Sequence, residues 1–268
     1  MTMCESAAQK RFLRRRLRNR RLVRAARILV LVFFLILWEM SARLGWIDSF
    51  IFSSPAQLID TFSSMMRNQD LASHIGVTLL ETLASFFLVI TVGTGLAVLL
   101  WCCPKLSDIL EPYLVMLNSL PKSALAPLLI VWLGANMRTI IVAGMSVAIF
   151  GSVISLYTGF RETDPDKLKL IYSLGGKKRD TLLKVVLPSS VPLLLATMKV
   201  NIGLCLVGVV IGEFIGARQG LGYLIIYSSQ TFKLDAMILS ILILCLISMA
   251  LYGAVSLAEK KCLRGRQS

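Results

Sequence analysis

The chain has 268 residues, 56% of them hydrophobic and only 16% charged, with a formal net charge of +14 and a mean hydropathy of +0.74. So apolar a composition leaves too little polar surface for a water-soluble domain and points to a membrane protein. One histidine and six cysteines without a C-x-x-C pair give no metal-binding pattern, so a metal site is not expected.

Met1 to Arg27 is a basic tail, flexible or interfacial, with ten Lys and Arg between Lys10 and Arg27. No aromatic-lined or base-reading module follows it, so nucleic acid is not an expected partner. Anionic lipid is the simpler one, at about 1 kcal/mol per nearby cation. The first apolar segment, about 26–44, runs into Trp38-Glu39 with no A-x-A-like site behind it, which describes an uncleaved span. Between Gly45 and Ser73 a short helix is expected near Ala56–Met66, and His74 then stands just before the second span in a solvated or capping role.

Further apolar segments cover about 76–103, 112–133, 139–160, 191–215 and 234–257. The fourth carries no charge in 22 positions, and at about 1.5 Å per residue it reaches the roughly 30 Å of a bilayer core. The third is interrupted by Pro121, Lys122 and Pro127; broken spans are tolerated where protein or a water-filled cavity satisfies the freed backbone, so it should face the interior. The expected fold is all-α, a polytopic membrane protein with six spans in one transmembrane domain, 28–260, between the basic tail 1–27 and a short tail 261–268. With both termini assigned to the cytosol, the cytosolic side holds ten Lys and Arg in the first tail, Lys105, seven from Arg161 to Lys184 and four from Lys260 to Arg266. That is 22 of the 29, the positive-inside asymmetry in its usual direction.

The polar loop 161–190 is the most informative stretch. Asp164 suits a helix N-cap, Pro165 its first position and Asp166 the first turn. Leu168, Ile171, Tyr172 and Gly175 fall at helical spacing, and Gly175-Gly176 offers a residue able to take φ > 0 and stop that helix. A second amphipathic segment follows until Pro188 and Pro192 turn the chain into the fifth span. Such a hairpin either lies at the headgroups or serves as a docking element for something in the cytosol.

The spacing L-G-x(9)-V-x-L-P, from Leu174-Gly175 to Leu187-Pro188, resembles the cytoplasmic "EAA" loop in permease subunits of binding-protein-dependent ABC importers. Asn118-Ser119-Leu120-Pro121, Ala126-Pro127, Trp132-Leu133-Gly134, Gly208 to Glu213 and Gly220 to Ile225 extend the resemblance over about residues 50 to 258, toward the nitrate/sulfonate/taurine/bicarbonate branch. The E-A-A triplet itself falls on Lys169-Leu170-Ile171, a departure that puts in question any contact made through the family's glutamate. The resemblance implies a type I-like transmembrane domain and a homodimer enclosing the path. It also implies two copies of a cytosolic ATP-binding subunit and an extracytoplasmic solute-binding protein. It makes Lys169, Leu170, Ile171, Leu174, Gly175, Leu187 and Pro188 the ATPase-coupling set, and Asn118, Pro121, Asn201 and Glu213 candidates for the path or gate. The implied cargo is a small anion of the sulfonate, nitrate or taurine kind, although thiamine-precursor and riboflavin importers are similar to this branch too.

The residues themselves leave alternatives. Lys199 would cost about 2.5–3.5 kcal/mol if exposed at mid-bilayer, so it turns toward protein or water or snorkels to the cytoplasmic headgroups. Asn201 is either a cross-helix hydrogen bonder or a substrate contact. Glu213 is either a family position or a capped, solvated span end. Gly208, Gly212 and Gly216, at four-residue spacing with Gly203 nearby, form a small-residue face for a neighbouring helix or a second subunit.

Catalysis is not expected. Gly176-Lys177 is the only G-K pair, with Ile171 where a P-loop has its first glycine and Lys178 where it has Ser or Thr, so an ATP site is left to another polypeptide and no cofactor is implied. The rival classes are an ion-driven secondary transporter or channel, which calls for paired carboxylates inside the spans, and a scaffold with unbroken spans. No pairing of Glu39, Glu81 and Glu213 is evident in the sequence.

Overall fold

The computed structural model describes residues 7–68 and 70–264, and every regular element among them is helical. The chain divides into two units, residues 1–63 and 64–268.

In the first unit α1 (Ala7–Arg43) is one helix of 37 residues, of which Ala25–Arg43 is long and apolar enough to cross a membrane. The described part of the basic tail is therefore helical and continuous with the first span. No Pro or Gly interrupts Ala7 to Arg43, and Ala, Leu and Arg are strong helix formers. Residues 1–6 of that tail and 265–268 of the C-terminal one lie outside the described residues. Beyond α1 come α2 (Ser49–Phe52) and α3 (Pro55–Asn68), the latter matching the helix expected near Ala56–Met66. Glu39 joins two of these elements: one oxygen pairs with Arg43 at 2.6 Å, and the other accepts from the N–H of Ala56 at 3.2 Å, a free donor in the first turn of α3.

The second unit is built around α4 (Leu71–Cys102), α7 (Met137–Arg161) and α10 (Leu187–Gly216), which pack mutually. Phe86, Val89, Val153, Phe160 and Cys205 are buried between them. Lipid tails are as apolar as these side chains, so helix association draws on close packing and hydrogen bonds more than on apolar transfer. Both are present. Gly208 lies so near α7 that a Cβ there would stand 2.8 Å from the Gly144 Cα, and Asn201 donates to Ser152 Oγ at 2.9 Å across the same pair of helices. The small-residue face thus packs on a neighbouring helix of its own chain, with α7 opposite Gly208 and Gly212 and with Ile130 opposite Gly216.

The third span departs from the expected 112–133. It is a pair, α5 (Pro104–Ser119) and α6 (Lys122–Leu133), bent by 98°. The break falls at Leu120-Pro121, where Leu120 is held extended (ψ 142°) as the residue before a proline usually is; Pro127, expected to interrupt, sits inside α6. Counting the pair as one span gives six.

The chain leaves α7 for α8 (Pro165–Ser173), then α9 (Lys178–Thr181), a π-helical turn Leu182–Val186, and α10 without a gap. Pro188 and Pro192 were expected to turn the chain here, yet Lys178–Gly216 is one helical run of 39 residues. Pro188 lies in the first turn after the π segment, and the wider i→i+5 turn accommodates a residue that has no N–H to give and would crowd the carbonyl of Lys184. The chain ends with α11 (Leu221–Gln230) and α12 (Leu234–Arg264). Lys199 finds a partner that sequence periodicity did not supply, an ion pair with Glu259 on α12.

Candidate functional site

The hairpin is built from its caps upward. Asp164 accepts from the N–H of Asp166 at 3.0 Å and starts α8, with Pro165 in the first turn and Lys169 paired to Asp166 at 3.1 Å. α8 ends in a Schellman motif: Gly175 N–H donates to Tyr172 O at 3.0 Å and Gly176 N–H to Ile171 O at 2.9 Å, with Gly175 at φ 79°. The two glycines have different jobs. Gly175 is there for its dihedral, since a Cβ on it would meet nothing within 4 Å, whereas a Cβ on Gly176 would stand 2.9 Å from the Ile171 carbonyl oxygen. The second leg starts at Lys177, whose N–H donates to Asp180 at 3.0 Å.

The stem is fixed firmly to the spans. Thr181, Leu182 and Val186 are buried, the last two in the same core as Leu100 and Phe160 at the ends of α4 and α7. Lys178 Nζ donates to the Cys102 carbonyl at 2.9 Å and stands 5.6 Å from the centre of the Trp101 ring, satisfying one of the free carbonyls at the end of α4. The tip, in contrast, is bare: Leu170 is 59%, Tyr172 50% and Leu174 76% exposed. A stiff stem under an uncovered apolar tip can pass on a push received at that tip.

The structure gathers Lys169, Leu170, Leu174 and Gly175 on the exposed tip, with Ile171 half-buried beneath Gly176. Leu187 and Pro188 lie apart from them, half-buried in the first turn of α10. Asn118 is half-buried at the end of α5, against Gly151 of α7, and Pro121 is exposed at the bend. Asn201 is buried in the core of the unit.

Glu213 occupies a second cluster, at the end of the helices away from the hairpin. It is neither solvated nor a simple helix cap: it is 1% exposed, accepts from Thr78 Oγ1 at 2.7 Å and accepts from the N–H of Gly222 at 2.6 Å. Thr78 Oγ1 in turn accepts from Leu221 N–H at 2.8 Å, and His74 Nδ1 accepts from Gly220 N–H at 3.0 Å. Glu81, three residues along α4 from Thr78, is 2% exposed, a second buried carboxyl group, and its Oε2 has no hydrogen-bond partner. The sequence reading missed these two buried carboxyl groups because 132 positions separate them. The spacing of Glu213 from Gly220-x-Gly222 was the only local signal. Glu213 has both oxygens engaged by Thr78 and Gly222, which suits a fixed structural joint better than an ion relay.

Residues 89–261 match the family described as binding-protein-dependent transport system inner membrane component. A probable ABC transporter permease protein of Haemophilus influenzae is 32% identical over 85% of this chain and 92% of its own length. A putative aliphatic sulfonates transport permease of Bacillus subtilis is 25% identical over 87% of this chain and 84% of its own. A formylaminopyrimidine transport permease of Halalkalibacterium halodurans is 26% identical over 86% and 92%. In fold the chain is similar to a subunit of the MetNI methionine ABC transporter in an inward-facing conformation, with a TM-score of 0.64 and 18% identity over 71% of this chain and 95% of that one. With the matched family covering the bent third span and the hairpin, the chain belongs to the multi-pass inner-membrane permease subunits of binding-protein-dependent ABC importers, in the branch that includes sulfonate and taurine permeases.

Proposed function

We propose that this permease forms, as a homodimer, the path for a small solute, and that the hairpin 161–190 couples it to a separate cytosolic ATPase, one copy per permease. The observation that carries the reading is the uncovered apolar tip, Leu170, Tyr172 and Leu174, on a stem continuous with the fifth span. The chain itself catalyses no bond chemistry; its partner hydrolyses ATP, and an extracytoplasmic binding protein delivers the cargo. Lys169, paired with Asp166, stands where the family has its glutamate, so docking here rests on the apolar tip and not on that carboxylate. The cargo is a small organic or inorganic anion such as a sulfonate, taurine or nitrate. The sulfonate permease of Bacillus subtilis supports that choice, and the formylaminopyrimidine permease marks the breadth of cargo among relatives. Asn118 and Pro121, at the bend, contribute to the path or its gate; Asn201 and Glu213 act on it from within the helix packing.

Reconstitution tests this reading. The purified chain in proteoliposomes should hydrolyse no ATP, and adding its cognate ATPase should give hydrolysis stimulated by the loaded binding protein. Ion-driven uptake by the chain alone would favour a secondary transporter, the alternative class. The charge asymmetry supports a cytosolic side for both termini. Single cysteines at Ser6, Gln69 and Ser268, all outside the described residues, should then label from the inside, the outside and the inside, and outside labelling at both ends would invert the topology.

A further inference from the structure

Resting on the coupling role proposed for the hairpin, we infer that Glu213 and Thr78 are positioning residues of an outer gate, fixing the first turn of α11 to the far end of the helical rod that starts in the hairpin.

Three observations carry this. The rod Lys178–Gly216 is 39 residues without a gap, and Glu213 stands three residues from its end. A displacement imposed at Lys178 therefore reaches Glu213 along one unbroken helical run.

Next, α11 cannot cap itself. Its N-cap is Gly220, which has no side chain to offer the free donors of the first turn. The N–H groups of Gly220, Leu221 and Gly222 are taken instead by His74, Thr78 and Glu213, from α4 and α10. Contact there is backbone to carboxylate. A Cβ on Gly220 would fall 2.3 Å from a Glu213 oxygen, and one on Gly222 would fall 2.7 Å from the other, so the joint has no slack. Stacking of His74 on Tyr223, with ring centres 6.0 Å apart, adds a further tie between α4 and α11.

Finally, α4 meets the rod at both ends. Cys102 holds Lys178 beside the hairpin, and Thr78 holds Glu213 at the other end. Two long helices cross-tied in this way form a frame, and α11 hangs from its outer corner.

The test uses the whole assembly, this permease with its ATPase and binding protein in nanodiscs. Nitroxides are placed at Ser229→Cys on α11 and Arg138→Cys at the start of α7, both exposed positions, with the native cysteines replaced. In the parent, trapping with ATP and vanadate should shift the distance between labels as one narrow population. Thr78→Val keeps the shape but removes the hydroxyl that serves both Glu213 and Leu221; Glu213→Gln keeps the shape but cannot accept from Thr78 and Gly222 together. Either variant should cut the shift by at least half and broaden it. Basal hydrolysis should persist while stimulation by the binding protein falls about tenfold, a loss that weaker folding alone would not produce per assembled complex. Parental shifts and stimulation in both variants, or in whichever one assembles, would overturn the inference. A parental assembly with no stimulation at all would remove the coupling reading, and this inference with it.

Discussion

Gly175→Val is expected to abolish most transport while leaving membrane insertion and dimerisation close to parental. Gly175 holds φ 79° at the end of α8, a region in which a β-branched residue is a genuine outlier. The local cost is about 1–2 kcal/mol from the left-handed clash alone. Packing adds little to it, because a Cβ at this position meets nothing within 4 Å. Escape from that clash is the larger effect: the chain would abandon the Schellman turn and move Leu174, the most exposed apolar residue of the tip. Gly175 sits on the exposed tip, ahead of the helical run that starts at Lys178, so the core formed by α4, α7 and α10 has no reason to change. Uptake in proteoliposomes, measured beside size-exclusion profiles, separates the two. Parental uptake with the ATPase bound would show that this turn is not part of the coupling element.

Gly208→Ala should lower thermal stability markedly, whereas Gly203→Ala, five residues earlier on the same helix, should not. At position 208 the new Cβ would stand 2.8 Å from the Gly144 Cα and 3.0 Å from the Ala143 carbonyl oxygen, both backbone atoms that no rotamer change can clear. α7 and α10 would have to part. Overpacking of this kind costs about 1–3 kcal/mol, and the Asn201–Ser152 bond across the same two helices would stretch with it. At 203 a Cβ meets nothing within 4 Å, and replacing a helical glycine by alanine is favourable by about 0.5–1 kcal/mol. Thermal melts of the two variants in one detergent would decide it, and equal melting temperatures would contradict the close approach of the helices.

The features read correctly from the sequence are those set within a few residues. The caps of α8, the φ of Gly175 and the apolar lengths of the spans depend on local chemistry, and all are present. What escaped depends on partners far along the chain. Pro188 reads as a breaker, and only the π turn before it explains how the helix continues. Lys199 reads as a residue in search of solvent until Glu259 of α12 is placed beside it. Glu81 and Glu213 each read as span-end residues. Folding buries both and gives Glu213 to the glycine-flanked start of α11. Prolines of like sequence context also differ in effect: Pro121 breaks the third span because Leu120 before it is extended, while Pro127 is absorbed by α6.

The claim that the hairpin is the coupling element is tested most directly by a disulfide between Leu174→Cys and single cysteines placed along the surface of the ATPase subunit. Efficient crosslinking at a restricted set of ATPase positions, with hydrolysis arrested until reductant is added, is the predicted result. If Leu174→Cys instead crosslinks to no ATPase position and is quenched by labels carried on lipid headgroups, the hairpin lies on the membrane and the coupling role is wrong.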